Sequence, residues 1–140
     1  MNDIDEINSL EWADWSLGGI DVDADDAERV SIELICCSDS APKENLGASI
    51  SCENFIGFSS TGSRDEGLIE DIRIDEEGDI INDSLKRIKH LYDQSPSSFQ
   101  LLWSCGDAKI INGKWHQLNI KLASGSEIKI ACGRIRFETH

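Results

Sequence analysis

Basic residues are scarce in this chain of 140: thirteen Lys and Arg stand against twenty-seven Asp and Glu, a formal charge of −14. Proteins hold a polyanion through Lys and Arg that neutralise phosphates, so the deficit speaks against nucleic acid, and the same repulsion speaks against an anionic membrane. No apolar run approaches the roughly 18 residues of a membrane helix, and Met1-Asn2-Asp3-Ile4-Asp5-Glu6 is acidic where a secretory leader would be basic and then apolar. The expected location is the cytoplasm. There are only two prolines and no low-complexity tract, which argues against extensive disorder.

Site chemistry is also thin. The five cysteines (Cys36, Cys37, Cys52, Cys105 and Cys132) are odd in number and contain no Cys-x-x-Cys. All but Cys37 fall in phase with apolar strand neighbours, so buried free thiols are expected rather than a zinc site or a disulfide framework. Asp21-x-Asp23-x-Asp25 begins like a calcium loop, but Asp26 stands where the turn needs Gly and Ile32 where the bidentate Glu belongs. Gly18-Gly19 and Ser59-Ser60-Thr61-Gly62-Ser63 lack the Lys and the spacing of a phosphate loop and read as ordinary turns. Of the three histidines, His90, His116 and His140, none lies in a recognisable motif. A pair of Cys105 or Cys132 with His116 can be drawn, but a reactive thiolate needs electropositive surroundings that an acidic chain does not advertise. The expectation is a protein without catalysis, metal or cofactor.

What the chain does have is alternation. Arg29 to Cys36 places apolar residues at every even position, the mark of a strand with one buried face, and Ala48, Ile50, Cys52, Ile56 and Phe58 keep the same parity. These two strands are expected to pair antiparallel across the polar loop Ser38 to Leu46. Further strands are expected at Leu68 to Ile74, Phe99 to Cys105 (with Trp103 in the core), Trp115 to Leu122 and Glu127 to Phe137. In the last, the apolar phase slips at Gly133, which reads as a β-bulge. Asn112-Gly113 and Ser124-Gly125 are hairpin turns and predict a meander of Lys109 to Ile111, Trp115 to Leu122 and Glu127 to Phe137. Asp83 or Ser84 is expected to cap a helix over Leu85 to Tyr92 that stops before Ser95-Pro96, and Asp3 to Leu10 has the spacing of a short opening helix. The expected fold is mainly β (α+β): one domain over 1–140, an antiparallel sandwich or open barrel of about six to eight strands, with one helix near residues 84–93.

Charge is distributed unevenly along this frame. Residues 1–28 carry ten acids and no Lys or Arg, and residues 64–79 carry eight acids and two arginines. From Ile80 onward nine bases face five acids. Crowded carboxylates repel one another, a cost that a cationic partner would offset, although turn and edge-strand chemistry accounts for the second run equally well. The candidate partner-binding residues are Asp21, Asp23, Asp25, Asp26 and Glu28 from the first run and Asp65, Glu66, Glu70, Asp71, Asp75, Glu76, Glu77 and Asp79 from the second. Trp12 and Trp15, set within the first run, are expected to be partly exposed aromatics that could anchor a partner.

The segments Leu10-Glu11-Trp12, Ile20-Asp21-Val22-Asp23, Val30-Ser31-Ile32-Glu33-Leu34, Phe55-Ile56-Gly57-Phe58 and Ser126-Glu127-Ile128-Lys129-Ile130 together resemble immunity proteins of bacterial contact-dependent inhibition and polymorphic toxin systems. The resemblance spans most of the chain and implies a protein that binds one basic toxin domain, in many systems a nuclease, and blocks its active site or substrate groove. Two other functions stay open: a β module that encloses a small molecule, and a hydrolase with a carboxylate or thiol site.

Overall fold

The computed structural model describes residues 2–22, 29–36, 47–62, 67–94 and 114–139. In chain order the elements are α1 (Asp3–Ser9), β1 (Trp15–Val22), β2 (Arg29–Cys36), β3 (Gly47–Glu53), β4 (Gly57–Thr61), β5 (Ile69–Asp75), α2 (Asp79–Gln94), β6 (His116–Leu122), β7 (Glu127–Cys132) and β8 (Arg134–Thr139). The strands form two four-stranded antiparallel sheets, ordered β1-β2-β3-β8 and β4-β7-β6-β5. The inward faces meet in one core. Val30, Ile32 and Leu34 of β2 and Ile50 and Cys52 of β3 pack against Ile72 of β5, Leu118 and Ile120 of β6 and Ile130 of β7, all at most 1% exposed. Each such aliphatic side chain contributes about 1.5–3 kcal/mol on burial.

The mainly β sandwich, the antiparallel β2–β3 pair and the opening helix agree with expectation. So does the β6–β7 hairpin, whose Gly125 takes φ +94, a backbone conformation that L side chains rarely adopt. Two long expected strands are instead each divided between the sheets. Residues 48–58 keep one parity, yet β3 lies in the first sheet and β4 in the second, with Asn54 at φ 55 between them. Residues 127–137 divide in the same way at Gly133, so the phase slip there marks a change of sheet and not a bulge. The two crossings lie side by side. β3 pairs with β8, β4 pairs with β7, and at the corner the Gly133 N–H donates to the Glu53 carbonyl (3.1 Å) while the Ile56 N–H donates to the Ala131 carbonyl (2.8 Å). A two-stranded ribbon thus runs through both sheets, the device by which sandwiches make corners.

Gly18-Gly19 is not a turn. It lies within β1, where the register against β2 shifts between Leu17 and Gly19. Helix α2 begins at Asp79, ahead of the expected Asp83 or Ser84 cap, because a residue from another strand caps it. Gln117 of β6 is 2% exposed, and its Oε1 accepts from the N–H groups of Ile80 (3.0 Å) and Ile81 (3.2 Å). Ile81 and Ile88 of the helix bury Trp115 and Ala131 on the outer face of the second sheet. A β-carbon at Gly57 would overlap the Ser84 hydroxyl, so this glycine lets α2 lie close on β4. The strands expected over 99–105 and 109–111, Trp103, the Asn112-Gly113 turn and the 38–46 loop lie outside the described residues.

Candidate functional site

The acid-rich N-terminus is pinned to the sandwich by two polar side chains. The Asn2 side chain caps α1 by accepting from the Asp5 N–H (2.8 Å). Near the other end of the helix, Asn8 Oδ1 accepts from the Ile74 N–H (2.8 Å) and Asn8 Nδ2 donates to the Ile74 carbonyl (3.1 Å), copying a strand along the open edge of β5. Asp3 Oδ2 accepts from the Phe137 N–H (3.1 Å) on the open edge of β8. The helix therefore spans the gap between the two sheets, with Ile7 fully buried beneath it.

Trp12 is part of this seal, which corrects its expected role as an exposed anchor. It is 1% exposed, its indole N–H donates to the Ile7 carbonyl (2.9 Å), and its ring meets Trp15 and Phe137 edge-on at centroid distances of 5.2 and 6.0 Å. Trp15 is half-buried beside it.

The Asn8 contact brings together carboxylates that the sequence holds far apart. Asp5, Glu6 and Glu11 belong to the pinned segment, while Asp75, Glu76 and Glu77 directly follow the Ile74 that receives it. Asp5, Glu11, Asp75, Glu76 and Glu77 are exposed. Residues 2–22 contain no base, and Glu76 and Glu77 make no ion pair among the described residues. Asp5, Glu6 and Glu11 do not stand among the expected binding residues, and the helical spacing of Ile4, Ile7 and Leu10 is the one sequence signal for their placement. Asp21 is exposed at the far end of β1, six residues and roughly 20 Å from Trp15 at the strand rise. Asp23, Asp25, Asp26, Glu28, Asp65 and Glu66 lie outside the described residues.

Glu70, Asp71 and Asp79 of the second acidic run are interleaved with cations on the outer face of the second sheet, and Asp75 is bonded there to a neutral amide. Glu70 faces Lys121 (3.9 Å), Asp71 pairs with Arg73 (3.0 Å), and Asp75 Oδ2 accepts from the Asn119 amide (3.2 Å). Lys129 bridges Asp79 (3.0 Å) and Glu127 (3.7 Å). The Gln117 amide donates to Asp79 Oδ1 (3.0 Å), and this bond, then Lys129, holds the Asp79 carboxyl below its ordinary value of 3.8. The Asp79 bond in turn raises Lys129 above 10.5. Glu70, Asp71 and Asp79 are thus already engaged by cations, whereas among the described residues no cation pairs with Glu76 or Glu77.

The opposite flank is apolar. Leu17, Ile20 and Val22 of β1 and Phe58 of β4 turn their core-facing sides into a cleft of about 390 Å³, floored by Leu122 and Ile128 and edged by Ser60, Thr61 and Ser126. Val22 is 51% and Phe58 41% exposed there. At the corner, Cys52 and Cys132 are buried free thiols, and the hydrogen bond that the Cys52 thiol makes to the Cys132 side chain, together with burial, pushes the Cys52 thiol well above 9.0. Among the described residues no group of three or more His, Cys, Asp or Glu could hold a metal ion, and no helix is long and apolar enough to cross a membrane.

No family model and no curated protein matches this chain. Among solved structures, the crystal structure of an uncharacterized protein from Neisseria gonorrhoeae is similar, with a TM-score of 0.50 and 14% identity over 89% of this chain and 90% of that one. At that identity the likeness concerns the fold alone.

Proposed function

We propose that the protein binds and neutralises a basic protein toxin domain, docking it on the acidic end formed by α1, Glu11 and the turn from Asp75 to Glu77. One observation carries this: the Asn8–Ile74 hydrogen bonds draw two base-poor acidic segments 66 residues apart onto one end of the sandwich, while Glu70, Asp71 and Asp79 of the outer sheet face are paired with cations. A field concentrated in this way accelerates encounter with a cationic surface. The test uses a basic toxin domain, such as the C-terminal domain of any large toxin encoded immediately upstream, with association followed by stopped flow at low and high salt. Charge reversal at Glu11→Lys, Glu76→Lys and Glu77→Lys together is expected to slow association about tenfold at low salt and flatten its salt dependence. An unchanged rate, or no binding by the wild-type chain, overturns the proposal.

The apolar cleft favours a second function, capture of a small apolar molecule, since its volume lies within the roughly 300–1,000 Å³ of ligand pockets. Its test is whether an anilinonaphthalene sulfonate probe shifts the amide resonances of Val22 and Phe58. Shifts confined to other regions count against it.

A further inference from the structure

The corner where the ribbon changes sheet holds a pair of thiols that no part of the proposed docking uses. Cys52 is the penultimate residue of β3 and Cys132 the last of β7, and both are 0% exposed. Although β3 and β7 belong to different sheets, their backbones come within 8 Å, and the residues that follow the two cysteines are hydrogen-bonded, Gly133 N–H to the Glu53 carbonyl (3.1 Å). The two side chains are themselves in hydrogen-bonding contact. Beside them stands an imidazole. His116 lies directly opposite Cys132 in the β6–β7 ladder, which turns both side chains to the same face, and its buried Nδ1 has no hydrogen-bond partner among the described residues.

We propose that Cys52 and Cys132 form a redox-sensitive dithiol that a small peroxide closes to a disulfide, stapling the two sheets at the corner. Cys132 loses its proton to His116 Nδ1, and its sulfur attacks the peroxide oxygen. The O–O bond breaks, leaving a sulfenic acid, and hydroxide departs as water with the proton held by His116. The Cys52 sulfur then attacks the Cys132 sulfur, the S–O bond breaks, and a second water leaves with the Cys52 proton. Two thiols are oxidised to one disulfide, and hydrogen peroxide is reduced to two waters. Because both sulfurs are sealed from water, the oxidant enters when the corner opens transiently, which favours a molecule of that size over larger disulfides.

The full chain incubated with hydrogen peroxide and then digested without reductant should yield a peptide linking Cys52 to Cys132, lighter by two hydrogens than its reduced parts. Closing so long a loop should raise Tm by about 10 °C, reversibly with dithiothreitol. Cys52→Ala and Cys132→Ala should each abolish both the linked peptide and the shift, and His116→Gln should slow linkage about tenfold or more. Linkage to Cys36, Cys37 or Cys105 in place of this pair, or full alkylation of Cys52 and Cys132 on unfolding after peroxide treatment, overturns the proposal. An unaltered rate in His116→Gln overturns the assignment of the proton acceptor.

Discussion

The two flanks of the sandwich present the same problem, the open edges of two sheets, and end in opposite ways. Between β5 and β8, helix α1 bridges the gap, Asn8 and Asp3 occupy backbone groups on the two edges, and Trp12 fills the space beneath. Between β1 and β4 the inward faces look into a cleft, and Val22 and Phe58 remain about half in solvent. A flank closed by a helix contributes stability and carries charge on its outer surface; a flank left apolar contributes less and offers a surface for recognition. The difference follows from the residues at hand: Asn and Asp can replace a missing strand, and Leu, Ile, Val and Phe cannot.

The contrast breaks most completely at Trp12. Trp12→Ala removes the largest fully buried side chain among the described residues and its bond to Ile7, and a loss of about 3–5 kcal/mol is expected in urea unfolding. A matched pair of substitutions sharpens it. Val22 and Val30 are cross-strand neighbours, 51% and 0% exposed. Val30→Thr buries a hydroxyl without a partner and should cost about 2 kcal/mol, whereas Val22→Thr should stay within about 0.5 kcal/mol. Equal effects would show that the cleft is as closed as the core. Asn8→Ala frees the β5 edge at a partly solvated site, so about 1 kcal/mol is expected, with faster amide exchange at Ile74 than in the wild type.

The smallest effect is electrostatic. Asp79 is held below its ordinary value of 3.8 by Gln117 and Lys129, so its contribution is complete above that pH and is lost as pH falls through the lower folded value. The group is more than half exposed, so solvent screens it and the effect is small. Acid unfolding of Asp79→Asn should show a weaker pH dependence below 3.8 than the wild type, with little difference at neutral pH.

Strand alternation was legible because a period of two is local, and β2, β5 and the β6–β7 hairpin lie where it indicates. The acidic runs were legible as composition but not as a surface. Counting charges could not reveal that Lys121, Arg73 and Lys129 would interleave with Glu70, Asp71 and Asp79, because partners on β6 and β7 are brought there only by sheet pairing. Trp12 was misjudged for a related reason: its acidic neighbours suggested exposure, but a single large ring can turn inward from a polar segment when its N–H finds a carbonyl, here that of Ile7.

Local patterning dictates which stretches are extended, which side of each strand is apolar, and that negative charge gathers in two runs, since each of these depends on neighbours a few residues apart. Tertiary structure set the rest: Asn54 and Gly133 carry the chain from one sheet to the other, Gln117 starts α2, and Asn8 brings the acidic N-terminal segment against the strand that leads into Asp75, Glu76 and Glu77. Those choices rest on contacts between segments tens of residues apart, and they are selected by which complete set of edges and apolar faces can be satisfied at once.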